Sequence, residues 1–102
     1  MIKCTIKGKG NSYCSNGIYD KGKILVKKDS RINLKDNVFE HMTKEARKAR
    51  TDKNIVDDTG KVLKDVWFNS ASSAAQFVTG NSTNGMRQWK TIAEGKSLNS
   101  VI

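Results

Sequence analysis

Apolar and polar positions alternate from the start of the chain. Ile2, Cys4 and Ile6 fall on one side of residues 2–8, and Lys3, Thr5 and Lys7 on the other, which is the period of a strand with one wet face. Gly8-Lys9-Gly10-Asn11 is a turn signal. Residues 12–19 predict a second strand, bent at Asn16-Gly17, and Asp20-Lys21-Gly22 turns the chain into a third, Lys23 to Lys28. An antiparallel meander follows. If its first two strands pair around Lys9, Cys4 lies opposite Cys14, with Cβ atoms roughly 4.5–5.5 Å apart. That spacing fits either a disulfide or two small apolar residues sharing one face.

The period then lengthens. Residues 36–51 predict a helix, with Val38, Phe39, Met42, Ala46 and Ala49 on one side and Glu40, Lys44, Arg47 and Thr51 on the other. Asp36 is placed to cap it. Ile55-Val56 and Lys61-Val62-Leu63 flank Asp57-Asp58-Thr59-Gly60 as a short hairpin, and the second arm runs on toward Val66-Trp67-Phe68. Trp67, in an apolar run, is expected in the core. A short helix starts at Asn69 or Ser70, stacks Ala71, Ala74, Ala75 and Val78 on one face, and ends at Gly80. After the polar loop Asn81–Gly85, Met86 to Ile92 predicts a strand, Glu94-Gly95-Lys96 a turn, and Leu98 a return to the core. The fold class is α+β. A small antiparallel sheet is built from an N-terminal β-meander, a central helix, a hairpin, a short helix and a C-terminal strand or hairpin.

Composition narrows the function. The 102 residues suit a single domain spanning 1–102, and 36% hydrophobic content gives it a modest core. No apolar run approaches the ~20 residues of a membrane span. The opening MIKCTIKGKG lacks the apolar stretch of a secretory signal, so a cytoplasmic protein is expected. That compartment keeps thiols reduced, which favours two free cysteines over a disulfide. Two cysteines and one histidine, His41, are too few for a structural zinc site. Neither His41 nor Cys14 sits in a catalytic motif, and no glycine-rich phosphate loop precedes a helix. A non-enzymatic module without a cofactor is therefore expected. Nineteen Lys and Arg against ten Asp and Glu give a formal charge of +9, which attracts polyanions. Membrane-surface binding is disfavoured, because no basic helix carries bulky residues on its apolar face.

The most specific stretch is Phe68 to Leu98, FNSASSAAQFVTGNSTNGMRQWKTIAEGKSL. Phe68, Ser70, Ser72, Ala74, Ala75, Val78, Thr79, Gly80, Asn84, Gly85, Trp89, Lys90, Gly95 and Leu98 resemble the closing motif of the domain of unknown function 4357 family. Ile24 to Ser30 is similar to that family's strand ending in Leu-Lys-Gly-Ser. The family is similar in turn to the restriction-enzyme and adenine-methylase associated domain, and it accompanies GIY-YIG nucleases and restriction-modification proteins. The resemblance implies an accessory DNA-binding module. Three positions depart from the family pattern. Ala71 stands where the family has Pro, Asp29 where it has Gly, and Met86 where it has the first Trp of N-G-W, which puts modified-base reading in doubt more than backbone binding.

The residues themselves suggest where such a module would touch nucleic acid. Ser70, Ser72 and Ser73 open a helix whose free N–H groups suit a phosphate, although capping its own helix is the more ordinary role for Ser70. In the polar loop that includes Asn81, Asn84 can pair with adenine, and Asn84-Gly85 also fits a turn with positive φ. Trp89 fits the core or a stack on a base. Arg87 and Lys90 lie close to the loop and can neutralise phosphates. Lys44, Arg47 and Lys48 can form a second phosphate row, or answer the negative pole of their own helix. The alternative function is a protein–protein interaction module docking on a nuclease or methylase partner, which would need an exposed apolar patch. A DNA mimic is disfavoured because it should be acidic.

Overall fold

The computed structural model describes residues 1–35 and 39–102. The meander forms as its alternation requires: β1 spans Ile2–Lys7, β2 Cys14–Asp20 and β3 Lys23–Val26. Later segments add β4, Val66–Phe68, and β5, Lys90–Thr91, to opposite edges. The sheet is five-stranded and antiparallel in the order β4-β3-β2-β1-β5. Cys4, Ile6, Ile24, Val26 and Phe68 are buried on one face, together with Thr91.

The helices α1, Lys44–Thr51, and α2, Ala71–Thr79, lie over that face with α3, Gly85–Gln88, and α4, Leu98–Val101. Helix α2 is the central piece. It packs on β2, β3 and β4, while α1 and α3 flank it. Its alanine stripe is buried as expected, but Ser73, Gln76, Phe77 and Thr79 are buried too. The Phe77 ring lies 5.0 Å from that of Phe68, joining helix to sheet. Gly80 ends α2 at φ 75°, in the left-handed region that favours glycine.

The structure corrects four expectations. The helix expected over 36–51 begins at Lys44, because the Thr43 hydroxyl accepts the Ala46 N–H and caps it there. Phe39–His41 is a separate 3-10 turn, while Asp36 and Val38 lie outside the described residues. Met42, Ala46 and Ala49 are buried as the spacing requires.

The first three residues of the strand expected over Met86–Ile92 belong to helix α3, and the strand itself is reduced to Lys90–Thr91, with the Ile92 N–H donating to the Lys3 carbonyl of β1. The Asn84 side chain accepts the Met86 N–H and starts the helix. Cys4 faces Gly17, and Cys14 faces Lys7. The hairpin loop is longer than a turn centred on Lys9, since a 3-10 segment occupies Lys9–Asn11. Both thiols are free. Trp67, finally, is 50% exposed. Val66 and Phe68 both point inward, so the residue between them points out.

Candidate nucleic-acid interface

The residues singled out around the second helix are largely consumed in building it. The Ser70 hydroxyl accepts the Ser73 N–H at 3.0 Å, so it caps α2. The Ser72 hydroxyl accepts the Gly85 N–H at 3.2 Å and pins α3 to α2. The Ser73 hydroxyl is buried and shares a 2.8 Å hydrogen bond with that of Thr43, tying in α1. Thr79 and Asn81 bond to each other across the end of α2, with the Thr79 hydroxyl accepting the Asn81 N–H at 3.1 Å.

Asn84 remains exposed, but its side-chain oxygen is engaged as a cap. Gly85 is not at positive φ, so the Asn-Gly pair is no left-handed turn. Gly85 is needed because a Cβ there would lie 2.1 Å from the Ala71 backbone. Of the two places open to Trp89, the structure takes the core, which rules out a stack on a base. Its ring has 0% exposure, and its Nε1–H donates to the Ala71 carbonyl at 3.2 Å. Met86, in the position of the family's Trp, is half-buried against the same core. The N-G-x-x-x-W motif is thus a bracket holding α3 to α2.

The expected cations divide between two sides of the sheet. Lys44, Arg47 and Lys48 ride on α1, in the helical layer. Lys90 stands on β5 beside Thr5, on the face turned away from the helices. Arg87 on α3 is exposed, and its carbonyl accepts a hydrogen bond from the Lys90 ammonium at 3.1 Å. Arg50 has a different job. Its guanidinium donates to the Phe77 and Asn33 carbonyls at 2.7 and 2.6 Å, clamping α1 to the end of α2.

A different surface gathers unneutralised charge. No described helix covers the outer face of the sheet. Strand alternation places Lys3, Thr5 and Lys7 of β1 there, with Cys14, Asn16, Ile18 and Asp20 of β2. Leu25 and the flanking Lys23 and Lys27 belong to the same face, as do Trp67, Lys90 and Ile92.

Two cross-strand rows result. One runs Trp67, Leu25, Ile18, Lys3 and Ile92; the other runs Lys27, Asn16, Thr5 and Lys90. Shallow depressions meet at Asn16. One of about 570 Å³ is lined by Cys14, Lys27, Lys28, Asp29 and Arg31. Another of about 550 Å³ is lined by Lys7, Lys90 and Gly95.

Among the described residues no ion pair engages Lys3, Lys7, Lys23, Lys27 or Lys90. The acids nearby are Asp20, opposite Lys23, Glu94, which lines a depression with Lys3 and Ile92, and two at the rim. Asp65 accepts the Lys28 N–H at 2.7 Å, and Asp29 sits 3.5 Å from Lys61. Of this surface the sequence had singled out Lys90, and the wet side of β1 was the signal for the rest.

No described helix is long and apolar enough to cross a membrane. No curated protein and no solved structure matches the chain. The family model described as Domain of unknown function (DUF4357) matches residues 4–102. The whole bracket of α2, α3 and Trp89 lies inside that span, and the chain belongs to this family.

Proposed function

We propose that the protein is a non-enzymatic nucleic-acid-binding module of the cytoplasm, with DNA as its first candidate ligand. It would serve as an accessory to a nuclease or a restriction-modification system. The observation that carries this reading is the outer sheet face. There four lysines, Lys3, Lys7, Lys27 and Lys90, surround the polar groove at Asn16, and among the described residues none of the four is held in an ion pair. A polyanion relieves the repulsion among such cations, in competition with the salt ions that screen it. The formal +9 supplies long-range attraction.

The test is a titration of fluorescein-labelled DNA at several salt concentrations, with two triple variants. We expect the logarithm of affinity to fall with the logarithm of salt at a slope of about −3 for a single strand and nearer −4 for a duplex, corresponding to about four neutralised phosphates. Lys3→Glu/Lys27→Glu/Lys90→Glu should abolish most binding, and Lys44→Glu/Arg47→Glu/Lys48→Glu should weaken it far less. Absent or salt-independent binding would overturn the reading.

A second reading, docking on a nuclease or methylase, has its own support. An apolar depression of about 490 Å³ lies at the sheet edge, lined by Met1, Ile2, Ile92, Ala93 and Val101. A pull-down that recovers such a partner and loses it on Ile92→Asp would favour that reading.

A further inference from the structure

We infer that the outer sheet face selects single-stranded nucleic acid, with Trp67 as the platform on which a base stacks. The inference rests on the nucleic-acid reading above and narrows it. A duplex presents phosphates outward and hides the faces of its bases, so it rewards cations but not exposed apolar rings. A single strand offers both.

The two rows on this face match those two offers side by side. Trp67, Leu25, Ile18 and Ile92 form the apolar row, interrupted only by Lys3. Lys27 and Lys90 close the ends of the polar row, with Asn16 and Thr5 between them. Neighbouring rows lie about 7 Å apart along the strands, and five strands span about 19 Å. That is room for on the order of four nucleotides, with bases along one row and backbone along the other.

Trp67 is the feature that a purely electrostatic surface does not explain. A tryptophan half exposed on an uncovered sheet exposes costly apolar area. Its ring is presented from a three-residue edge strand, Val66–Phe68, whose other two residues are anchored in the core. The backbone that carries the ring is therefore anchored before any ligand arrives, which lowers the entropic cost of stacking. Asn16 lies one row along and two strands across from Trp67, where it can bond the edge of a neighbouring splayed base.

The test compares a fluorescein-labelled single-stranded 12-mer of mixed sequence with the same sequence as a duplex, in one buffer. The wild type should bind the single strand at least about tenfold more tightly. Trp67→Ala should weaken single-strand binding by about 5- to 150-fold and leave duplex binding within about twofold, while Trp67→Phe should keep most of the affinity. Tryptophan emission supplies an independent readout. The single strand should quench the wild type but not Trp67→Phe, in which only the buried Trp89 emits. Equal or tighter duplex binding, or indifference to Trp67→Ala, overturns the inference and leaves the nucleic-acid reading standing. Failure to bind either oligonucleotide overturns both. Trp67-dependent capture of a nuclease or methylase, without oligonucleotide binding, assigns the face to protein docking and also overturns both.

Discussion

Gly85 has no room for a side chain. A methyl group there would press on the Ala71 backbone, so Gly85→Ala must either push α3 away from α2 or tilt the turn that delivers Trp89. We expect a loss of roughly 2–4 kcal/mol by chemical denaturation, comparable to a disrupted core. Asp29 is the opposite case. It holds φ at 73°, where the family has glycine, and its only described ion pair is an exposed contact with Lys61. Asp29→Gly should raise stability by up to about 1 kcal/mol. It should also strengthen DNA binding, by removing an acid from the rim of the groove.

Cys4 makes a pH-dependent prediction. Burial pushes its thiol from 9.0 up to about 12, opposed by a smaller lowering from a backbone hydrogen bond with Tyr19. The unfolded thiol ionises first, so the native state holds the extra proton between those values, and stability falls as pH rises through that window. Urea melts of wild type and Cys4→Ala should diverge above about pH 9, with the wild type losing more. At about pH 8 an alkylating reagent should label the half-exposed Cys14 and spare Cys4.

At the scale of elements, stability depends on the clamps that join helices across α2. Removing the Arg50 guanidinium as Arg50→Met leaves two carbonyls without their charged donor. This should cost roughly 2–4 kcal/mol by denaturant melt, with little effect on DNA affinity. The meander was legible in the chain because a period of two leaves few alternatives, and Lys3, Thr5 and Lys7 already marked a wet side. Helix α2 was legible from its alanine stripe, its serine cap and Gly80. Helix α3 was not, because a four-residue helix owes its existence to tertiary contacts: Gly85 against Ala71, and Trp89 into the core. Trp67 was misplaced and Trp89 left between two readings for related reasons. Trp67 lies in an apolar run whose parity only becomes visible once Phe68 pairs with Ile24, and Trp89 follows a helix end that periodicity does not reveal.

At the scale of the molecule, the helical layer and the outer sheet face divide the work. The motif that carries the family likeness builds the first, since Ser70, Ser72, Asn84, Gly85 and Trp89 all act as caps, pins or core. The proposed contact surface lies on the second, where Lys90 is the motif residue that reaches it. The most direct measurement is a map of backbone amide shifts on titrating the protein with a DNA oligonucleotide. The account predicts that Lys3, Thr5, Asn16, Ile18, Lys27, Trp67 and Lys90 move together while Ser70 to Ser73 and Lys44 to Lys48 stay still. Shifts centred on α1 and the α2–α3 junction, with the outer sheet face silent, would contradict it.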